Sequence, residues 1–261
     1  MKNTKSNKSN KSNKSNKSKV AKSKTKSKAK SIKSKAKKQC GGMILSTPKT
    51  THNIVASKPI LLGISELSRK VQWLIDLAGS NEVIEAIIDD FCENKKKKKP
   101  KIVNKKTFDG KEKNIIVFQS GVDQSVGHWV YFNSKGVKMN SYELGHQKNG
   151  TNQFCQTFAI IYMLSDGCNF GKTYINELKS GEQQFGNNIR VVVNFWKFIF
   201  HYHPPLTDWL IQEVREINNE ILSYDTTLAI TKNTDEIDIN FIDEKLMDID
   251  IYADQIAKTV H

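Results

Sequence analysis

Cys155 stands where a loop containing Gly and Asn, residues 145–154, hands over to an apolar run, residues 155–164. That position suits a nucleophile. A free thiol has a pKa of about 8.5, so only a few per cent is ionised at neutral pH. The unpaired N–H groups and the positive end of a helix start favour the thiolate. The ordinary alternative for a lone cysteine is a small buried hydrophobe. Cys92, on an amphipathic stretch, and Cys168, in a polar loop with no partner in view, fit that alternative. His128 lies between Gly127 and Trp129 on a predicted strand, where packing can aim an imidazole at a thiol as general base. Asn140 lies across a turn on the next predicted strand. Its amide oxygen can accept the imidazole N–H and fix the tautomer. Gln147 and Gln153 precede Cys155, and a carboxamide N–H beside the nucleophile can hold an oxyanion together with the Cys backbone N–H. Taken singly, each of these residues has a bland structural reading. Their order along the chain, His, Asn, Gln, Cys, is the signal.

A second arrangement keeps Cys155 and takes its base from His201 or His203 in Phe200-His201-Tyr202-His203-Pro204. The periodicity of Val191 to Phe200 reads as a core helix, which makes these two helix-end histidines, favourable near a C-terminus. Glu143 and Asp123 are possible substitutes for Asn140, although Asp123 reads as a turn residue. His52, His146 and His261 have no partner pattern, and His146, beside Gln147, is a reserve base.

The elements that must position these groups follow from periodicity. Ile64, Leu67, Val71, Leu74, Ile75 and Ala78 fall on one helical face; Gly79 ends that helix and Ser80 caps the next, with Val83, Ile84, Ile87, Ile88 and Phe91 inward. Lys95 to Lys99 followed by Pro100 reads as a solvated loop with some capacity for phosphate. Residues 114–118 read as a buried strand, and 128–142 as a β-hairpin turning at Asn133-Ser134-Lys135-Gly136. Further helices are expected at 155–164, 170–179, 188–202 and 206–223. The acidic end, 235–261, is expected as an amphipathic helix or a mobile segment. Helices flanking a small mixed sheet make the body α+β rather than a regular βαβ array.

Charge separates this body from what precedes it. The chain carries 41 Lys+Arg against 27 Asp+Glu. Residues 1–39 hold 16 lysines and no acid, which leaves 25 basic against 27 acidic residues, a net of −2, for the rest. A uniformly basic nucleic-acid-binding domain is thereby excluded. A Lys-Ser-Asn triplet repeats from Lys5 to Lys17, and such a segment has too little apolar area to offset chain entropy. It is expected to be disordered and to bind nucleic acid or another polyanion without sequence preference, with strong salt sensitivity. The domain reading is a cationic tail over 1–42, an α+β body over 43–234 and the acidic segment over 235–261. Gly41-Gly42-Met43 joins tail to body as a hinge or as an accessible cleavage site. Four cysteines without close spacing are not a disulfide scaffold and suggest a reduced, intracellular chain. No apolar run reaches the length of a membrane span and no secretory h-region opens the chain, so no membrane partner and no secretion are expected.

His128-Trp129, Asn140-Ser141, Gln147-Lys148-Asn149-Gly150 and Cys155 together resemble the signature of the SUMO-protease and adenovirus-maturation-protease superfamily. The likeness covers roughly residues 114–165 and is nearest to the branch found in large DNA viruses. The resemblance implies a cysteine endopeptidase of cysteine protease-like fold, with His128 as base, Asn140 as its orienter, Gln147 as oxyanion donor and Cys155 as nucleophile. Spacing leaves Gln153 open as the donor instead, and Gln156 stands where the family carries Gly after the nucleophile. The resemblance further implies a protein or polyprotein substrate cut after Gly-Gly-like sites, a virion or host-cytoplasm setting, and neither metal nor cofactor. The competing expectation is a non-enzymatic nucleic-acid-packaging or virion-core protein whose body is protease-like.

Overall fold

The structure, a computed structural model, describes residues 70–92, 99–105, 108–120, 127–147, 154–166, 168 and 172–259. The lysine-rich tail, the Gly41-Gly42 junction, Cys40, His52, Ile64, Leu67, residues 95–98 of the lysine run, Asp123, Asn149, Gly150, Gln153 and His261 lie outside the described residues. Every described residue belongs to the unit that begins at Cys40.

Helix α1 is described over 70–79 and buries Val71, Trp73, Leu74, Ile75, Leu77 and Ala78. Its successor α2 (Asn81–Phe91) begins at Ser80, whose hydroxyl accepts the Val83 N–H at 3.3 Å. The buried stripe of α2 is Val83, Ile84, Ile87, Ile88 and Phe91, the five positions its periodicity marks. The helix stops at Cys92, whose N–H still reaches Ile88 O.

Four strands follow: β1 (Lys101–Lys105), β2 (Ile115–Ser120), β3 (Gly127–Phe132) and β4 (Lys138–Met139), adjacent in that order. β1 and β2 are parallel, while β2–β3 and β3–β4 are antiparallel, so the sheet is mixed. β1 was not expected, because Lys101, Asn104 and Lys105 break its apolar pattern on an edge strand. The third expected strand, up to Tyr142, shortens to Lys138–Met139, after which the chain curls into turns over 141–146. The hairpin turn is at the expected place. Asn133 Oδ1 accepts the N–H groups of Lys135 and Val137, and Gly136 takes φ +85°, where a side chain is disfavoured.

Pleating gives the sheet two apolar faces. Ile116, Trp129 and Tyr131 join the main core, while Val117, Val130 and Phe132 form a small separate cluster covered by Phe108 and Ile115. α3 (Cys155–Asp166) lies against β2 and β3 and also meets α2, α4 (Lys172–Glu177) and α5 (Phe185–Tyr202). Its residues are buried on every side from Cys155 to Ser165. Thr157 receives the Trp196 indole N–H from α5 at 3.0 Å. At the far end Asp166 accepts from Tyr131 Oη, Ser134 N and Ser134 Oγ, which ties α3 to the hairpin turn. α6 (Pro204–Tyr224) opens with Pro in its first turn, where a missing N–H costs nothing. The acidic end is the helix α7 (Ile239–Thr259), packed on α5 through Ile242, Leu246, Ile249 and Ala253 and through Arg190 with Asp250 and Asp254.

One expectation is corrected outright. Cys92 and Cys168, expected as unpaired thiols, form a disulfide with Cα atoms 4.8 Å apart. Separated by 76 positions, they carry no local spacing signal; only the packing of α2 beside α3 brings their chain ends together. The expectation of a reduced chain drew on unpaired thiols, and for these two it loses that footing. No helix among the described residues is long and apolar enough to cross a membrane.

Candidate active site

The hairpin explains why His128 and Asn140 meet. The β3–β4 register pairs Tyr131 with Met139 and Phe132 with Lys138. Asn140 follows that ladder directly, where the chain turns away from the strand. His128 Nε2 and Asn140 Oδ1 lie 2.9 Å apart. An amide oxygen only accepts, so Nε2 carries the proton and Nδ1 keeps a lone pair. Nδ1 is buried without a hydrogen-bond partner. Burial lowers the pKa of His128, the Asn140 bond raises it, Lys138 lowers it and Glu143 raises it, with a net shift downward. The ring is therefore neutral near pH 7 and able to take a proton.

Asn140 is itself held. Its Oδ1 also accepts the Tyr142 N–H at 3.0 Å, and its Nδ2 donates to Glu143 Oε1 at 3.2 Å. Glu143, considered a substitute for Asn140, instead stands behind it and is paired with Lys138 at 2.6 Å.

Cys155 is the first residue of α3 and is 6% exposed. The backbone N–H groups of Trp129, Gln156 and Cys155 lie near enough to its sulfur to favour the thiolate. The Trp129 contact puts the sulfur against β3 one residue along from His128. The expected lowering of the thiol pKa at a helix start is reversed: burial pushes Cys155 up to about 11, and the three N–H groups offset only part of this. The resting state is a protonated thiol, and its S–H donates to Gln156 Oε1 at 3.4 Å.

Tyr142 links the remaining pieces, and sequence reasoning overlooked it. Its ring lies 4.5 Å from the His128 ring, and its hydroxyl accepts from Gln147 Nε2 at 2.9 Å. Burial, then the neighbouring Cys155 sulfur, push its pKa up to about 12, against a smaller pull from Gln147. Gln147, only 3% exposed, accepts from Ser141 Oγ at 2.9 Å, so both ends of its amide are engaged by the Asn140-Ser141-Tyr142 turn. Local pattern did not mark Tyr142, because it lies in the turn after β4 rather than on a strand. Gln156 was noted only as a departure from a pattern; it is 8% exposed and its side chain faces the sulfur.

The loop that leads to the nucleophile is anchored from the helical side. Asn188 Nδ2 donates to His146 O and Lys179 O, Ser180 Oγ to Leu144 O, and the Gly181 N–H to Gly145 O. His146 Nδ1 is 2.7 Å from Tyr162 Oη of α3, a structural engagement for the reserve base. His201 and His203 are paired with Asp243 and Asp90 at the α5–α6 junction, which fits helix-end histidines. Among the described residues no group of three or more His, Cys, Asp or Glu is arranged to hold a metal ion.

No family model, no curated protein and no solved structure matches the chain.

Proposed function

We propose that the body is a cysteine endopeptidase whose working groups are Cys155, His128 and Asn140. One observation carries the reading. The His128 ring is bonded at Nε2 to Asn140, which leaves Nδ1 as a buried, unpartnered base next in sequence to Trp129, whose backbone N–H lies near the Cys155 sulfur. An orphaned buried nitrogen costs stability of about 1–3 kcal/mol, a cost easier to understand at a working site than at a merely structural one.

The chemistry follows in order. The Cys155 proton passes to His128 Nδ1, giving an ion pair. The sulfur attacks the peptide carbonyl carbon, and the π electrons move to oxygen, where N–H donors hold them. His128 then protonates the departing amine as the C–N bond breaks, and water releases the acyl group by the reverse sequence. Asn140 keeps the ring turned so that Nδ1 faces the reaction throughout. The resemblance adds a substrate with Gly-Gly before the cut, and a virion-core or intracellular setting belongs to the same proposal. The lysine-rich tail would hold the enzyme on nucleic acid or another polyanion.

The burial of Cys155 favours a second reading, a non-enzymatic packaging protein with a protease-like body. Iodoacetamide labelling at neutral pH separates the two. Under the first reading Cys155 is labelled in the folded chain, and His128→Ala abolishes that labelling together with cleavage of a Gly-Gly peptide amide. Labelling only on unfolding, with no cleavage, decides for the second.

A further inference from the structure

We propose that Gln156 is a catalytic residue, the carboxamide that contacts the reacting sulfur and, turned over, donates its N–H to the oxyanion. The inference rests on the cysteine-peptidase reading and names a part of its machinery. Gln147 was the expected donor, but its amide is bonded to Ser141 and Tyr142. Among the described residues Gln156 is the carboxamide bonded to the sulfur, with Oε1 accepting the S–H at 3.4 Å.

The geometry has a simple origin. Side chains on a helix lean toward its N-terminus. A residue one position into α3 therefore sweeps back over the helix start, where Cys155 sits. The amide packs beside Gly79 at the end of α1: a Cβ placed on Gly79 would lie 3.8 Å from Gln156 Nε2, ordinary contact distance. A carboxamide offers an acceptor at one end and two donors at the other. In the resting chain the acceptor end suits a protonated thiol. Once the proton has moved to His128 Nδ1, an acceptor facing a thiolate is unfavourable, and rotation about the terminal side-chain torsion presents Nε2–H instead. The same donor is then available to the carbonyl oxygen that gains charge when the S–C bond forms. No covalent bond to Gln156 is made and no further reactant is needed. Gln156 also lies 8% exposed in a helix that is buried all round, so water competes little for its amide.

The test uses the full chain, with a Gly-Gly peptide carrying a fluorogenic amine and with iodoacetamide as thiol probe. Gln156→Met keeps length and volume but removes both polar ends. It should lower kcat about 10²- to 10³-fold with KM little changed, as expected for a donor used in the transition state. It should also raise the pH midpoint of Cys155 alkylation. Gln156→Glu should silence both readouts, because a carboxylate opposes a thiolate, and Gln156→Asn should recover part of the loss. Thermal unfolding of each variant establishes that it is folded. If Gln156→Met is folded and unchanged in kcat and alkylation midpoint while His128→Ala loses both, the Gln156 assignment is overturned and the peptidase reading stands. If wild type neither cleaves nor alkylates in a His128-dependent way, both are overturned.

Discussion

α2 and α3 end at the same disulfide and begin in opposite ways. α2 shows its polar side to solvent, and Ser80 caps it with its own hydroxyl while Glu82 sits in the first turn. α3 is buried all round and has no acid in its first turn. Its first residue is the buried thiol, and the leading N–H groups of Cys155 and Gln156 lie near enough to the sulfur to favour its ionised form. A helix start at the surface can be satisfied by a local side chain and water. A helix start inside the protein must be satisfied by whatever the fold delivers there, and here it delivers a buried thiol bonded to the Gln156 carboxamide. The comparison also limits the dipole argument. A helix start favours an anion, yet burial of Cys155 outweighs it and keeps the thiol protonated.

The contrast can be broken most severely at its chemical end. His128→Ala should reduce peptide cleavage to background, whereas Asn140→Ala should leave a measurable remainder, since orienting a base matters less than being one. Ser80→Ala, at the other helix start, should leave cleavage unchanged. Steady-state kinetics on one peptide for all three variants checks this.

The shared far end comes next in size. The Cys92–Cys168 link spans 76 positions, and closing a loop of that length restricts the unfolded chain by about 4 kcal/mol. Cys168→Ala should lower the stability of the oxidised protein by up to that amount. Under a reducing agent the variant and wild type should converge. Urea unfolding with and without dithiothreitol measures both.

A smaller effect separates the two helix starts by pH. Cys155 holds its proton more tightly folded than unfolded, with a folded value of about 11. Its contribution is therefore fully present below the unfolded thiol value and is lost as pH rises through the folded one. Wild type should lose about 2 kcal/mol relative to Cys155→Ala between roughly pH 8 and pH 11. Ser80→Ala should show no such pH dependence relative to wild type, and should cost about 1 kcal/mol at every pH, the usual value of a lost cap. Denaturation curves across that range read both outcomes.

Local pattern determined most of the scaffold. The buried stripe of α2, its serine cap, the strands β2 and β3, the Asn133–Gly136 turn and the start of α3 at Cys155 follow from periodicity and turn chemistry, which act over a few residues. His128 and Asn140 were legible for the same reason: a hairpin is a local structure, and its register sets which side chains share a face. Other features waited on tertiary structure. β1 is an edge strand whose polar positions hide it until β2 supplies a partner. Cys92 and Cys168 are indistinguishable from inert thiols until α2 is laid beside α3. Burial, and with it the protonation state of Cys155, is a property of everything packed around one atom, so no window of sequence contains it. That Gln156 rather than Gln147 is proposed as the donor has the same cause. Which carboxamide meets the sulfur depends on the direction α3 gives its first side chains and on the Ser141 and Tyr142 partners that claim the other amide.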